Sequence, residues 1–277
     1  LCMKALITGV NGQLGKELLA HAPTGWACVA LDRAALDLSD AAAISRLVDA
    51  EQPDLVLNAA AYTAVDLAES EPALAHAINA GAPAAFSKAL AGAGRLVQVS
   101  TDFVFDGQRG YSYPPDGIRN PQSVYGASKA AGEDAAGDEA IIVRTSWVYA
   151  AGGANFVRTM LRLMRERDKL RVVADQIGSP TWAKGLATTI WGLAVKDATG
   201  IWHHRDAGIA SWYDFAVAIS EMIHSNCAVA KIGSEAFPTP AKRPHYSLMD
   251  CSSIIQDFGV EQPHWKESLQ FCLTNTC

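Results

Sequence analysis

Residues 1–150 alternate short runs of Val, Ile and Leu with longer stretches rich in Ala and Leu. This alternation is typical of repeated strand–helix units that build a parallel sheet. The predicted strands are nearly continuously apolar, as expected for strands that helices cover on both faces. The sequence therefore predicts an α/β fold, a Rossmann-type doubly wound parallel sheet. Strands are predicted at Lys4–Thr8, Ala27–Leu31, Asp54–Asn58, Arg95–Ser100 and Ala140–Arg144, and helices at Gln13–Ala22, Ala41–Ala50, Pro72–Ala80 and Ala82–Ala93.

A glycine-rich turn follows the first predicted strand and leads into the first helix. Its glycines, Gly9, Gly12 and Gly15, allow a tight turn, close approach of the backbone to a pyrophosphate, and close packing of the helix on the strand. The N-terminus of the helix offers free N–H groups to the phosphates. The turn can also be an ordinary strand-to-helix connection, so the motif alone is weak evidence.

Asp32 makes dinucleotide binding the favoured interpretation. It ends the second predicted strand about 20 residues beyond the glycines, where an acid binds the ribose hydroxyls of the adenosine. The alternative is a loop acid that caps a turn. Arg33 leaves the cofactor open, because Asp32 favours NADH whereas a neighbouring guanidinium can bind the extra phosphate of NADPH.

The pattern of strands and helices is less regular after Trp147. We predict a helix over residues 155–167, a strand over 170–174 and a helix over 181–195. Residues 1–150 are expected to form the dinucleotide-binding domain, which the segment 170–200 rejoins. Residues 151–277 are otherwise expected to form mainly a smaller C-terminal lobe that binds the substrate.

Tyr125 and Lys129 are four residues apart on a predicted helix and therefore share a face. A Tyr that protonates an alkoxide at neutral pH needs help, since the pKa of a free phenol is about 10. We expect the Lys129 ammonium to lower the pKa of Tyr125 and to hold the nicotinamide ribose. An exposed Tyr and Lys on an ordinary helix is the alternative, because this spacing often arises by chance.

Thr101 and Asp102 end the fourth predicted strand, at the same edge of the sheet as the glycine turn. We expect Thr101 to donate a hydrogen bond to a substrate carbonyl and so polarise it for hydride attack. Asp102 either binds a substrate hydroxyl or caps a turn. The glycine turn, the strand-end hydroxyl and the Tyr–Lys pair occur in the order that carbonyl reduction on this fold requires.

Further segments extend this pattern over nearly the whole chain. Two of them, RTSWVY at residues 144–149 and PTPAKRP at residues 238–244, are more discriminating than the glycine turn and the Tyr–Lys pair. The other segments are residues 9–15, 58–66, 68–72, 100–107, 125–129, 132–133 and 175–181. Together they resemble the extended short-chain dehydrogenase/reductase family, and within it the dTDP-4-dehydrorhamnose reductases.

The resemblance implies NADPH- or NADH-dependent reduction of the 4-keto group of a nucleotide sugar, dTDP-4-dehydro-β-L-rhamnose. It implies that Thr101 polarises the ketone, Tyr125 donates the proton and Lys129 supports Tyr125. Asp102 and Trp147 would contact the sugar, although Trp147 as an ordinary core residue is the alternative. The cofactor would be bound by Gly9, Gly12, Gln13, Leu14, Gly15, Asp32, Arg33, Asp37, Leu38, Ala59, Ala60, Ala61, Tyr62 and Thr63, together with Tyr125 and Lys129.

The expectation for metal binding rests on one departure from the family. Some relatives place a glutamate after Pro-Thr, where it helps to hold a magnesium ion between subunits, but this chain has Lys184. A lysine is a cation and cannot ligate Mg²⁺, which prefers oxygen ligands. His203-His204 lacks a third ligand at helpful spacing, and one buried and one exposed His is expected there. We expect no metal, and the sequence leaves a homodimer open.

Composition excludes further classes of partner. The net charge of −6 gives no attraction for nucleic acid. No run approaches the roughly 18 apolar residues of a membrane span, and the first residues lack the layout of a signal peptide. Six scattered cysteines without a CxxC pair are expected to be reduced thiols. These features predict a cytoplasmic protein with no membrane contact.

Two other functions fit the same motifs. An epimerase or dehydratase of this fold recycles its cofactor and often carries an added acid in the strand-end segment, where this chain has Asp102. A cofactor-binding regulatory subunit would keep the fold without the chemistry, but it would not need Tyr125 as a proton donor. Consumption of free reduced cofactor distinguishes a reductase from both.

Overall fold

A six-stranded sheet forms the centre of the structure, a computed structural model that describes residues 3–274. Leu1, Cys2 and Cys277 lie outside the described residues. In chain order the strands are β1 (Met3–Thr8), β2 (Trp26–Leu31), β3 (Leu55–Asn58), β4 (Arg95–Thr101), β5 (Ile141–Thr145), β6 (Val148–Tyr149), β7 (Lys169–Val173), β8 (Ile177–Gly178), β9 (Thr181–Trp182), β10 (Gly200–His203), β11 (Ala210–Ser211) and β12 (Ala228–Ile232).

Helices connect these strands. They are α1 (Gln13–Ala20), α2 (Ala41–Glu51), α3 (Val65–Ala68), α4 (Pro72–His76), α5 (Ala82–Leu90), α6 (Val124–Ala136), α7 (Phe156–Glu166), α8 (Ala183–Val195), α9 (Trp212–Met222), α10 (Ser252–Phe258) and α11 (Trp265–Thr274). A π-helical segment, Ala77–Gly81, joins α4 to α5. Within residues 3–274, none of these helices combines the length and the apolar character needed to cross a membrane.

The central sheet has the strand order β2-β1-β3-β4-β5-β10, and every neighbouring pair is parallel. The direction of the order reverses between β1 and β3. In open α/β sheets, ligands bind in the crevice outside the carboxyl ends of the strands at such a reversal. The predicted Rossmann-type sheet is confirmed, and the glycine turn after β1 lies at this reversal.

Helices cover both faces of the sheet, which explains why its strands are mostly apolar. On one face, Leu18 of α1 and Ile190 of α8 pack against Ile7 of β1. On the other face, Ile44 of α2 and Phe86 of α5 are completely buried. A separate core lies between α7, α9 and α11 in the second half of the chain.

The segment 170–200 differs from the prediction. The predicted strand forms as β7, but it pairs with β12 in a two-stranded sheet and does not join the central sheet. Its residues are alternately exposed and buried, which is typical of a strand covered on one face. The helix α8 does pack on the central sheet, and the strand that completes this sheet is β10.

Candidate active site

The turn after β1 is so tightly packed that its glycines leave no room for side chains. Gly9 has a φ of +69°, and a Cβ on it would lie 3.0 Å from the backbone of Ala60. The N–H of Gly12 donates to the carbonyl oxygen of Gly9 at 2.8 Å. A Cβ on Gly15 would collide with that same carbonyl. The turn therefore brings bare backbone to the carboxyl edge of the sheet, as a pyrophosphate site requires.

A cavity of about 570 Å³ lies on one side of this turn, at the ends of β2 and β3. Asp32 lines it and also caps a turn, because its Oδ1 accepts hydrogen bonds from the N–H groups of Ala34 and Ala35. Asn11 Nδ2 donates to its other oxygen at 3.3 Å. The turn-capping interpretation of Asp32 is therefore observed, and ribose binding stays a prediction. The exposed Arg33 lines the same cavity.

A second cavity of about 680 Å³ lies on the other side of the turn. It is lined by Thr101, Asp102, Tyr125, Lys129 and Trp147. The two cavities adjoin, since both are lined by Gly9, Gly12, Ala60, Ala61 and Thr63. Every catalytic, cofactor-binding and substrate-binding residue predicted from the sequence lines one cavity or both. Asp37, Leu38 and Tyr62 line the first, and Gln13, Leu14, Gly15 and Ala59 line the second.

The helix α6 presents Tyr125 and Lys129 to the second cavity. Its N-terminus is capped by Ser123, whose hydroxyl accepts a hydrogen bond from the N–H of Gly126. A Cβ on Gly126 would collide with the carbonyl of Phe103, so the helix packs directly on the turn that follows β4. The rings of Phe103 and Tyr125 meet edge to face with centroids 5.4 Å apart.

Burial shifts the pKa values of the pair in opposite directions. Removal from water raises the pKa of Tyr125 to about 12, although a hydrogen bond with Thr101 opposes the rise. Burial lowers the pKa of Lys129 to about 8, and the negative charge of Glu133 opposes the fall. The expectation that Lys129 lowers the pKa of Tyr125 is wrong for this structure. Desolvation dominates, and the Lys129 ammonium donates to the carbonyl oxygen of Val99 at 2.5 Å.

Thr101 and Asp102 are coupled to each other. The Thr101 hydroxyl donates to Asp102 Oδ1 at 3.0 Å and accepts from the N–H of Phe103 at 3.2 Å. Asp102 is 2% exposed, and burial raises its pKa to about 6 against hydrogen bonds that include those from Ser247 and Thr101. A substrate carbonyl would therefore have to take the Thr101 hydrogen in competition with this carboxyl group.

A buried ion pair lies behind the Tyr–Lys face of α6. Glu133 binds Arg144 of β5 through both carboxylate oxygens, at 2.8 and 2.7 Å, and each side chain is about 1% exposed. Ser100 also donates to Glu133, at 2.5 Å, and Arg119 lies 3.1 Å from it. Because Ser100 precedes Thr101, this pair fixes the end of β4 relative to the helix that carries Tyr125.

Asn79 lines neither cavity but links two segments that do, and the sequence analysis missed it. It lies in the π-helical segment and is 1% exposed. Its side chain exchanges hydrogen bonds with the backbone of Tyr62, at 2.8 and 3.1 Å, and donates to the Ser128 hydroxyl at 2.9 Å. Asn79 thus links the loop after β3 to α6. The signal that the sequence offered was an asparagine within an alanine-rich predicted helix.

Trp212 and Arg243 come from distant parts of the chain to the second cavity. Trp212 stacks on Trp147 with ring centroids 3.7 Å apart. Arg243 forms a bidentate ion pair with Asp66, at 2.9 and 2.8 Å, and this pair lowers the pKa of Asp66. The sequence marked the segment of Arg243 through the resemblance, but it gave no signal for Trp212.

Both histidines of the His203-His204 pair are buried, which corrects the expectation that one is exposed. His203 Nε2 lies 3.3 Å from Arg144 Nη1, and His204 Nδ1 lies 3.1 Å from the Thr189 hydroxyl. Burial lowers the pKa of both rings, to about 3 and about 4. Among residues 3–274, no three His, Cys, Asp or Glu side chains are grouped so that they can hold a metal ion.

Comparisons with known proteins agree with this geometry. The sequence model of the RmlD substrate binding domain family matches residues 3–277. The dTDP-4-dehydrorhamnose reductase of Burkholderia thailandensis is 39% identical to this chain, and the alignment covers 98% of each protein. This chain belongs to the dTDP-4-dehydrorhamnose reductase family.

Solved structures of dTDP-4-dehydrorhamnose reductases have the same fold. The enzyme of Bacillus anthracis, in complex with NADP, is 36% identical and covers the whole of both chains with a TM-score of 0.96. That of Clostridium acetobutylicum is 37% identical, covers 99% of each chain and has a TM-score of 0.95. The resemblance drawn from the motifs is confirmed at the level of the reductase family.

Proposed function

We propose that the protein reduces the 4-keto group of dTDP-4-dehydro-β-L-rhamnose to give dTDP-β-L-rhamnose, with NADPH or NADH. Relatives of nearly equal length bear the name of this activity, and one of them was solved with NADP. The observation that carries the proposal is the placement of Thr101, Tyr125 and Lys129 around one cavity that adjoins the glycine turn. Bare backbone at Gly9 and Gly12 leaves room there for a dinucleotide.

The cofactor and the nucleotide sugar would be bound by different parts of the chain. Residues 1–150 line the first cavity and would hold the cofactor, and Trp212 and Arg243 from the second half of the chain would help to hold the nucleotide sugar in the second cavity. A reduced nicotinamide in the second cavity would supply the hydride. Asp32 and Arg33 at the first cavity would bind the adenosine half, the former through ribose hydroxyls and the latter through a 2′-phosphate.

The side chains of the second cavity supply the rest of the chemistry. Thr101 donates to the ketone oxygen and stabilises the negative charge that develops on it. Tyr125 gives its proton to that oxygen, and its raised pKa keeps it protonated and ready to donate at neutral pH. Lys129 carries the positive charge that stabilises the phenolate left behind.

Mixing the protein with dTDP-4-dehydro-β-L-rhamnose and NADPH or NADH tests the proposal. We expect one reduced cofactor to be oxidised for each sugar reduced, which also separates a reductase from an epimerase or dehydratase that recycles its cofactor. Tyr125→Phe is expected to lower kcat by about 10²–10⁴-fold, since it removes the proton donor, while cofactor affinity measured by fluorescence titration stays the same. Folded protein that oxidises neither cofactor would overturn the proposal.

We propose separately that any pairing of two copies does not depend on Mg²⁺. Lys184 is exposed, its ammonium lies 5.5 Å from the centre of the Trp182 ring, and a cation is not a ligand for Mg²⁺. Light scattering should give the same molar mass with EDTA as with added MgCl₂. A mass that rises with magnesium and falls with EDTA would contradict this.

A further inference from the structure

Trp147 has an unusual backbone conformation. It connects β5 to β6 with a φ of +48°, in the left-handed region that bulky side chains rarely adopt. Residues held in such conformations persist where surrounding contacts determine them, and they cluster at ligand sites. Trp147 also lines the second cavity together with Thr101 and Tyr125. Some contact must therefore keep its indole in place.

Two neighbours form a slot for the Trp147 ring. Trp212 lies against it almost in parallel, with ring centroids 3.7 Å apart and an interplanar angle of 13°. The benzo edge of the Trp147 ring also lies close to Gly178, where a Cβ would be 3.1 Å from the ring carbons. A side chain at residue 178 would press on the indole, so the slot depends on Gly178 as well as on Trp212.

Trp212 is itself firmly anchored. It is the first residue of α9, whose N-terminus carries a full capping box between Ser211 and Asp214. Trp212 also packs against Phe156, with ring centroids 4.7 Å apart. Phe156 begins α7 after its own cap at Asn155. The stack therefore joins the starts of two helices of the second core to the loop after β5.

We propose that Trp212 is a positioning residue that holds Trp147 in its left-handed conformation, so that the Trp147 indole forms the wall against which the deoxysugar ring lies. The proposal rests on the proposed function, because the sugar is its ligand. An aromatic face suits the apolar face of a deoxysugar. Trp212 also lines the second cavity, but in this proposal it acts through Trp147, and its loss should weaken sugar binding without changing the groups that transfer the proton.

Steady-state kinetics of Trp212→Ala test this. We expect KM for the nucleotide sugar to rise about 2–12-fold, the range that corresponds to one aromatic pair, with kcat and cofactor affinity nearly unchanged. Trp212→Phe keeps a ring at the position and should recover most of the affinity. Trp182→Ala is the matched control, because Trp182 packs against the same core but lines neither cavity.

A double-mutant cycle separates positioning from direct contact. If Trp212 acts through Trp147, then adding Trp212→Ala to Trp147→Ala should raise KM no further. Additive effects of the two substitutions, or a fall in kcat at unchanged KM, would overturn the proposal. Cooperative thermal unfolding of Trp212→Ala well above the assay temperature would show that the effect is not a folding defect.

Circular dichroism provides a readout that needs no substrate. Two parallel indoles in contact couple their transitions, and the resulting couplet should disappear in Trp212→Ala and in Trp147→Ala alike. It should remain in Trp182→Ala. A protein that lacks turnover but shows this couplet would overturn the proposed function and leave the stack in place, whereas a couplet that survives Trp212→Ala would overturn the stack itself.

Discussion

Lys129 shows how burial sets the chemistry of a single residue. The residue is 3% exposed, its ammonium donates to the carbonyl oxygen of Val99, and burial lowers its pKa to about 8. Tyr125, with its pKa raised to about 12, stays neutral over the whole physiological range. Among the groups that line the second cavity, a change of protonation near neutral pH therefore belongs to Lys129 and to Asp102, whose pKa burial raises to about 6, but not to the proton donor.

We predict that kcat falls as the pH rises through about 8. Below that pH Lys129 is a cation that stabilises the phenolate, and above it the amine is neutral and loses this effect. This fall in kcat should be absent in Lys129→Arg, because a guanidinium stays protonated at these pH values. Overall activity of the variant is allowed to be lower. Initial rates at saturating substrate from pH 6 to about 10 measure the pH dependence of kcat. A fall above pH 8 that persists in Lys129→Arg would assign the titration to another group.

Residues that follow strand ends were predictable, whereas residues that arrive from distant elements were not. Gly9, Asp32 and Thr101 each occupy a local position in a strand–turn–helix pattern, and the parallel sheet brings those positions to one edge. Trp212 reaches the same cavity through the packing of α9 on α7, which no local pattern encodes. The direction of the Tyr125 pKa shift was missed because spacing on a helix does not report burial.

At the scale of elements, the glycine turn and α1 are in very close contact. We predict that Gly15→Ala destabilises the protein by about 1–3 kcal/mol, because its Cβ would collide with the Gly9 carbonyl and force α1 away from β1. Cofactor affinity should fall with it. Urea unfolding and fluorescence titration measure the two effects.

Gly192→Ala is the matched control for this prediction. Gly192 lies in α8, and a Cβ there would meet nothing within 4 Å. An alanine inside a helix is favoured over glycine by about 1 kcal/mol, so this variant should be slightly more stable than the parent protein. A Gly15→Ala protein as stable as Gly192→Ala would contradict the packing described for the turn.

Strand placement in the second half of the chain was harder to predict than in the first. The alternation of charged and apolar residues in Lys169–Val173 was itself a sign of a strand covered on one face. Gly200–His203 joins the central sheet with only four residues, and its partners are set by tertiary contacts with β5. A short strand of this kind carries too little pattern to be placed from the sequence.

At the scale of the whole molecule, His203 and His204 lie where the central sheet meets the rest of the chain. His203 Nδ1 lies 3.1 Å from the carbonyl of Asp250, and His204 contacts Thr189 of α8. Burial, followed by the charges of nearby arginines, lowers the pKa of both rings. The unfolded chain takes up these protons near pH 6.5, but the folded protein does so only near pH 3 to 4.

We predict that the free energy of unfolding falls as the pH is lowered from about 6.5 to 4, because the unfolded state binds more protons in this window. Relative to the parent protein, His204→Gln should lose about 2 kcal/mol less between pH 6.5 and 4.5, at roughly 1.4 kcal/mol per pKa unit. Urea titrations across this range measure the slope. His76→Gln, at an exposed site, should keep the slope of the parent, and an unchanged slope in His204→Gln would contradict the prediction.

The late position of β10 has a consequence for biosynthesis. As the chain leaves the ribosome, β5 can pair with β4 at once, but its other edge stays open until residues 200–203 have emerged. At about 5–20 residues per second this interval lasts on the order of 3–10 seconds. An unpaired strand edge is a template for aggregation. Since α7 and β7 are made in the same interval, the nascent chain must protect that edge while the second core is still being assembled, and the two halves mature together.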